Sequence, residues 1–285
     1  MEFITPKQTG EALDLLSQSK GRARLIAGGT NVLPDLRSGE LKPSLLIDLS
    51  RIRHLSYIRE ERHAIRIGSL TSIAELALSR VLEAKAPILW QACRLLGNPL
   101  VRNRATLGGN LADASPAADT AVPLLALDAE VVIARKDTEP RKIPVDRFFV
   151  GPNKTVLKKD ELIQEVAFSK PDSGTGMAYR KLGLRNAMAI SVISMAVLMD
   201  MENGKCSKAR IALGAVSPRP MRACKVETML TGETVTERLI ERCCHEIAGE
   251  VQPISDIRAS ADYRKAMARV LLGRLLREVA VGKKT

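Results

Sequence analysis

The sequence predicts an α+β fold in two consecutive parts, and three observations carry that expectation. Before residue 171, short helical and strand-like patterns alternate. A cluster of breakers, Pro171-Asp172-Ser173-Gly174-Thr175-Gly176, then interrupts the patterning and reads as a linker. Beyond it lie long strand patterns joined by the hairpin signal Asn203-Gly204, followed by three helical patterns.

Taken in order, residues 11–19 place Leu13, Leu15 and Leu16 at helical spacing. Arg24-Leu25-Ile26-Ala27 is a short apolar strand running straight into Gly28-Gly29-Thr30. Thr30 or Asn31 can cap a short helix through Leu36, with Pro34 tolerated in its first turn. Residues 45–49 read as a second strand and 64–68 as a third, alternating one. Ser72 and Glu75 form a capping box ahead of a helix through Leu82. Residues 87–96 predict an apolar helix, and 98–104 a polar turn region. Residues 120–127 read as helix, 130–134 as strand, 136–140 as turn and 162–168 as a closing strand. After the linker, 177–182 is a strand, 190–201 is either a long strand or a buried helix, and 209–216 is a strand. Helices are predicted over 222–230, 236–250 and 260–280. The last places Tyr263, Met267, Val270, Leu271, Leu275 and Val279 on one stripe, which predicts a packed face.

Composition excludes several functions. A chain of 285 residues with 45% hydrophobic content can bury its own cores without staples. Aromatic residues make up only 3%, which argues against a base-stacking nucleic-acid platform. The net charge of +12 is spread along the chain, with no nucleic-acid motif beside it. A soluble basic surface is its first reading; an acidic protein partner or an anionic cofactor fits as well. The five cysteines are scattered without a Cys-x-x-Cys pair, and His54, His63 and His245 lie far apart. No metal site is therefore expected in this chain, and the thiols are expected reduced. The start lacks the pattern of a secretory signal, and the longest apolar run, 187–199, is short and interrupted by serine. A cytoplasmic location without a membrane span is the expectation.

The chemistry concentrates in two glycine pairs. A pyrophosphate taken from water needs donors at close range, which backbone N–H groups supply when no side chain blocks the approach. A strand leading through Gly28-Gly29-Thr30 into a helix offers that arrangement. Thr106-Leu107-Gly108-Gly109-Asn110 offers a second set, with Thr and Asn side chains as further donors. Neither is a Gly-x-Gly-x-x-Gly dinucleotide fingerprint, nor is there a nucleoside-triphosphate loop. Residue types alone thus reach an anion or nucleotide site.

Longer stretches are more specific. Ala27-Gly28-Gly29-Thr30-Asn31-Val32-Leu33-Pro34 resembles the first flavin loop of the FAD subunits of molybdenum hydroxylases, the carbon monoxide dehydrogenase and xanthine dehydrogenase flavoprotein family. Val101-Arg102-Asn103-Arg104-Ala105-Thr106-Leu107-Gly108-Gly109-Asn110-Leu111-Ala112 resembles its second loop, and Ala114-Ser115-Pro116-Ala117-Ala118-Asp119-Thr120 continues that match. Tyr179-Arg180-Lys181-Leu182-Gly183-Leu184-Arg185-Asn186 and Ala212-Leu213-Gly214-Ala215-Val216-Ser217-Pro218 resemble its C-terminal domain. The likeness runs in order over essentially the whole chain.

That resemblance implies a two-subdomain FAD-binding domain of the PCMH type over residues 1–172, divided near residue 53. A C-terminal domain of antiparallel sheet plus helices would occupy 173–285. It implies that Leu25, Ile26, Ala27, Gly28, Gly29, Thr30, Asn31 and Val32 wrap the pyrophosphate and ribityl part of FAD. Thr106, Leu107, Gly108, Gly109 and Asn110 would grip it from the other side. Asp119 would meet a ribityl or ribose hydroxyl, or cap the helix after it, and Ser115 is a lesser candidate. One of Arg180 and Lys181 would approach the flavin, since strand alternation sends the other to solvent. Ile163 and Leu96 are candidates for the adenine or ring pocket, although such positions are core by default. Many relatives carry an aromatic residue near the position of Ala189, so the residue facing the isoalloxazine is not identified.

The implied function is an electron-transfer subunit without a catalytic acid–base pair. Electrons would come from 2Fe–2S clusters on a small partner subunit, fed by a molybdenum cofactor on a large one, and leave to NAD, oxygen or another acceptor. A dimer of heterotrimers is the implied assembly. The scattered cysteines disfavour the hydroxybenzoyl-CoA reductase branch, which carries an extra four-cysteine cluster insertion. Two alternatives stand beside this reading: a stand-alone flavin oxidase, and a basic scaffold whose flavin site is empty.

Overall fold

The computed structural model describes residues 1–280. The chain opens with β1 (Glu2–Ile4), α1 (Thr9–Gln18), β2 (Ala23–Ile26), α2 (Val32–Ser38) and β3 (Leu45–Asp48). The three strands form a parallel sheet in the order β1-β3-β2. Parallel neighbours need crossovers, which the two helices supply. Helix α1 starts at a capping box made by Gln8 and Glu11 and buries Ala12, Leu13 and Leu16. These meet Ile47, Leu49, Ile52 and Leu55 in a small core of their own.

The middle of the chain runs through β4 (Ile58–Glu60), β5 (Ala64–Gly68), α3 (Ile73–Leu78), α4 (Arg80–Lys85), α5 (Pro87–Leu95), α6 (Pro99–Arg104), α7 (Leu107–Asp113) and α8 (Ala121–Ala126). It continues with β6 (Glu130–Arg135), β7 (Arg141–Pro144), α9 (Val145–Phe148), β8 (Phe149–Gly151), β9 (Lys154–Thr155) and β10 (Glu161–Ser169). Five strands pair antiparallel in the order β4-β5-β10-β6-β7, with β8 and β9 as a separate ribbon. Ile65, Ile67, Val131, Ile133, Val166 and Phe168 bury one face of this sheet against the helices.

Two local expectations change here. The helix predicted through Leu82 breaks after Leu78, because the Ser79 hydroxyl accepts from Leu82 N at 3.3 Å and starts a second helix. The polar turn region at 98–104 is the helix α6: Asn98 Oδ1 accepts from Val101 N at 2.8 Å, and Pro99 occupies the first turn. Both are capping effects of a kind that a turn reading overlooks.

The remainder holds β11 (Gly176–Leu182), β12 (Ile193–Glu202), β13 (Lys205–Gly214), β14 (Met221–Arg222), α10 (Cys224–Leu230), α11 (Glu237–Glu250) and α12 (Ala261–Ala280). The strands form an antiparallel sheet in sequence order. Asn203 and Gly204 sit at φ +50° and +77°, the pair of positive values a two-residue hairpin turn of matching twist requires. Strand β12 is buried on both faces. Ala196 and Leu198 join the middle core, while Met195, Val197 and Met199 join the core shared with α10, α11 and α12. A continuous apolar run is the signature of such a strand, and it resolves the strand-or-helix ambiguity over 190–201.

Helix α12 does not present the predicted stripe unchanged. Tyr263 and Val270 are exposed, and the inward face is Arg264, Ala268, Leu271, Leu272, Leu275, Leu276 and Val279. The buried Arg264 donates from Nη1 to Val192 O at 3.0 Å and Ala215 O at 2.7 Å, and from Nη2 to Asp256 Oδ1 at 2.7 Å. A planar fork of donors satisfies these converging acceptors where an apolar side chain would leave them unpaired. No helix among the described residues is long and apolar enough to cross a membrane.

Candidate cofactor cleft

A cleft of about 1020 Å³ is lined by the β2–α2 loop, the start of α7, the β8–β9 ribbon and β10. Leu25, Ala27, Gly28, Gly29, Thr30, Asn31 and Val32 line one part of it. Thr106, Gly108, Gly109 and Asn110 line another, and Ile163 of β10 lines a third. Its volume stands at the upper end of the roughly 300–1,000 Å³ typical of small-molecule sites.

The β2–α2 loop is shaped by its two glycines. A Cβ on Gly28 would lie 1.8 Å from the Arg104 carbonyl oxygen, so only glycine lets this loop rest on the α6–α7 junction. Gly29 adopts φ +75°, the left-handed region that a side chain would strain. The carbonyls of Gly29 and Asn31 accept from Leu33 N and Asp35 N, each at 3.1 Å, which starts α2. The N–H groups of residues 28 to 32 have no protein acceptor among the described residues. A run of unpaired N–H groups on a turning backbone is an anion-binding arrangement.

The second glycine pair is built differently. Gly108 and Gly109 lie in the first turn of α7, not in a loop. Leu107 N donates to Thr71 O at 3.0 Å, Gly108 N to Ser69 O at 2.8 Å, and Asn110 N to Thr106 O at 2.9 Å. Gly109 N donates to the capping Thr106 Oγ1 at 3.1 Å. Backbone donors that the sequence assigns to the anion are thus engaged within the protein. Gly108 has a packing reason instead, because a Cβ there would meet Ser69 Cβ at 2.7 Å. What this side offers the cleft is the exposed Gly109 and the amide of Asn110. The oxygen of that amide accepts from Thr120 Oγ1 at 2.6 Å, which turns its Nδ2 donors away from Thr120.

Other predicted residues lie off the cleft lining. Ile26 and Leu107 are buried in the protein. Lys181 Nζ donates to Asp119 Oδ2 at 2.6 Å and to Leu95 O at 3.3 Å, while Ser191 Oγ donates to Asp119 Oδ1 at 2.9 Å. Both side chains of this ion pair are less than a tenth exposed, at 6% and 9%. Burial pushes the Asp119 carboxyl above its ordinary value, and the Lys181 ammonium pulls it back. Burial beside Asp119 also raises the Tyr179 phenol well above its usual value. Asp119 is not a helix cap, since α8 begins at Ala121 with Thr120 in the capping position. The bond between Thr120 and Asn110 ties this buried pair to the cleft wall.

Strand alternation sends Arg180 the other way, to Glu278 at 2.6 Å on the surface. Ser115 Oγ accepts from Ala117 N at 3.3 Å in a turn. Leu96 is buried at the end of α5, and its carbonyl accepts from Arg102 Nη1 at 3.0 Å. Ala189 closes the loop after β11, with its Cβ 2.6 Å from where a Gly183 Cβ would stand.

The sequence reading missed the cationic lining. Arg22, Arg24, Lys42, Lys154, Lys158 and Lys159 all border the cleft, against Asp35, Asp113 and Glu161. Glu161 is already held by Arg141 at 2.8 Å, so the cations dominate. Arg22 and Arg24 were findable as an alternating pair beside the first glycine loop. Lys154, Lys158 and Lys159 arrive through the β8–β9 ribbon and its exit, and Lys42 through the α2–β3 connection, which local patterning does not announce.

Comparisons with known proteins bear on the whole chain. Residues 1–171 match the family model described as the FAD binding domain in molybdopterin dehydrogenase, and residues 177–279 match the CO dehydrogenase flavoprotein C-terminal domain. The carbon monoxide dehydrogenase medium chain of Hydrogenophaga pseudoflava is 34% identical over 275 residues, covering 96% of this chain and 95% of that one. A xanthine dehydrogenase FAD-binding subunit of Escherichia coli O157:H7 is 30% identical, covering 94% and 92%. The solved carbon monoxide dehydrogenase from Hydrogenophaga pseudoflava, a form lacking the Mo-pyranopterin moiety, superposes with a TM-score of 0.94 at 34% identity, over 98% of this chain and 96% of that one. Quinoline 2-oxidoreductase from Pseudomonas putida 86 superposes with a TM-score of 0.92 at 27% identity, over 99% and 97%. With its two-part fold, its glycine-shaped cleft and these matches end to end, the chain belongs to the family of FAD-binding subunits of molybdopterin dehydrogenases.

Proposed function

We propose that this chain holds FAD in the cleft and works as the electron-transfer flavoprotein subunit of a molybdenum hydroxylase assembly. The observation that carries the reading is the unpaired run of N–H groups at residues 28 to 32, in a cleft of about 1020 Å³. Those donors meet the charge of a pyrophosphate, and the six bordering cations favour its approach. Gly109 and Asn110 form the facing wall. Asp119, held by Lys181 and Ser191, lies behind that wall and braces it through the bond from Thr120 to Asn110. Bound FAD would supply the chemistry of taking up and passing on electrons one or two at a time. The protein's part is to bind, orient and electrostatically bias it.

Its partners would be a small subunit with 2Fe–2S clusters and a large molybdopterin subunit, in a dimer of heterotrimers. Relatives named as medium chains and FAD subunits support this. The acceptor would be NAD, oxygen or another oxidant, and the setting the cytoplasm. A cofactor domain would end and a C-terminal domain begin at residues 172–173, a division that the gap between the two matched stretches supports. Stopped-flow spectra of the assembly under its substrate test the route. Cluster and flavin absorbance should both bleach; clusters that bleach while the flavin never does would refute it.

A further inference from the structure

Among the described residues, five buried side-chain groups lack a hydrogen-bond partner: the hydroxyls of Ser69, Tyr179 and Ser194, and the Nε atoms of Arg210 and Arg264. A buried donor left unpaired costs free energy, so each such group calls for a reason. The two arginines spend other nitrogens on protein acceptors. Tyr179 and Ser194 lie on the neighbouring strands β11 and β12, off the cleft lining. Ser69 alone of the five lines the cleft, and it is 2% exposed.

Its backbone is held from both sides. Ser69 N donates to Gln164 O at 3.0 Å, and Ser69 O accepts from Gly108 N at 2.8 Å. The pairing of β10 shifts register between Ile163 and Glu165, so Gln164 is a bulge residue whose carbonyl is left for Ser69. A Cβ on Gly108 would stand 2.7 Å from Ser69 Cβ, so glycine at 108 lets α7 start directly against this side chain. The serine is thereby fixed beside the second glycine pair, in the cleft that residues 28 to 32 also line. On its wall the N–H groups of residues 107 to 110 are all engaged within the protein. A serine hydroxyl rotates to suit its partner and donates one hydrogen bond, which is strongest to an anionic oxygen.

We infer that the Ser69 hydroxyl is a cofactor-binding group, donating to a pyrophosphate oxygen from the wall whose backbone donors are taken. The inference rests on the proposed FAD site and adds a residue that neither glycine loop contains. Loading the cleft satisfies a hydroxyl that folding leaves unpaired, so Ser69 contributes to binding and not to the stability of the apo-chain.

The test titrates the purified full-length apo-chain with FAD by fluorescence and measures ADP, which carries the pyrophosphate without a flavin, as a competitor. Ser69→Ala should weaken FAD and ADP alike by about tenfold or more, the loss of one hydrogen bond to a charged acceptor. The melting temperature of the apo-chain should hold or rise, because an unpaired hydroxyl leaves the interior. Ser69→Cys, similar in shape but a weak donor, should lose affinity nearly as far. Affinity within about twofold of wild type in Ser69→Ala or in Ser69→Cys overturns the inference. So does a loss for FAD with none for ADP, which would place the contact on the flavin side. A loss matched by a fall in apo melting temperature overturns it as well, since that is the mark of a structural role. ADP that cannot displace FAD from wild type even at millimolar concentration counts against it too. A well-folded wild-type chain that binds no FAD defeats the proposed function itself, whereas tight wild-type binding beside an unaffected Ser69→Ala defeats this inference alone.

Discussion

Replacing Gly28 with alanine puts a methyl carbon 1.8 Å from the Arg104 carbonyl oxygen and 2.5 Å from its carbon. Both are backbone atoms, so no rotamer change relieves the overlap. Ordinary contact is about 3.5 Å, and the loop must therefore retreat by roughly 1.5 Å. Overpacking of this kind costs about 1–3 kcal/mol of stability. The larger effect falls on the ligand. A hydrogen bond of about 2.9 Å stretched by that much is no longer one. Each bond to a charged acceptor contributes about 1.5–3 kcal/mol, so losing two corresponds to FAD binding weaker by roughly 10² to 10⁴. Fluorescence titration of the apo-protein with FAD, beside a thermal melt, measures both effects. Gly109→Ala is the contrast. Its Cβ meets only the Thr106 hydroxyl at 2.9 Å, and its N–H already serves that hydroxyl, so less than about a tenfold loss is expected. A folded Gly28→Ala protein that binds FAD within about threefold of wild type would refute the loop's assigned role.

Further predictions concern the groups that hold the rest together. Lys181→Met strands the buried Asp119 carboxylate and should cost about 3–5 kcal/mol, part of which Asp119→Asn in the same chain should restore. Urea midpoints that show no coupling between the two would contradict that. Arg264→Leu removes the donors to Val192 O and Ala215 O and should destabilise by a similar amount, with Arg264→Lys recovering little because it lacks the fork. The Asp256 carboxyl is held well below its ordinary value, first by hydrogen bonds from Arg258. A depressed carboxylate contributes stability that is complete above the unfolded value of about 3.9 and lost as pH falls below it. Melting temperatures should therefore drop more steeply below about pH 4 in wild type than in Asp256→Asn, and equal acid slopes would count against the pairing. Gly204→Ala, at φ +77°, should cost about 1–2 kcal/mol in a thermal melt without touching FAD affinity.

How much of this was legible depends on how far each signal reaches along the chain. The first glycine loop was readable because strand, glycine pair and helix adjoin in sequence, and the positive φ of Gly29 belongs to that local pattern. Thr106-Leu107-Gly108-Gly109 misleads because a helix cap followed by a packing glycine and a phosphate loop share the same letters. What separates them is the engagement of Leu107 N and Gly108 N by Thr71 and Ser69, contacts set by tertiary structure. Alternation along β11 foretold that Lys181 and Arg180 would part, though not that Lys181 would be spent on Asp119. Three of the cleft's lysines, Lys154, Lys158 and Lys159, come from or just after a ribbon whose strands are two and three residues long, too short for any period to show. Arg264 was invisible for the opposite reason, since a cation on an inward face contradicts the pattern until its carbonyl partners are known.

Titration of the purified apo-chain with FAD and, separately, with FMN tests the central claim most directly. Recognition through the pyrophosphate on residues 28 to 32 predicts tight FAD binding that FMN fails to match by on the order of a hundredfold. Equal affinity for the two, or no binding by a well-folded chain, would contradict it.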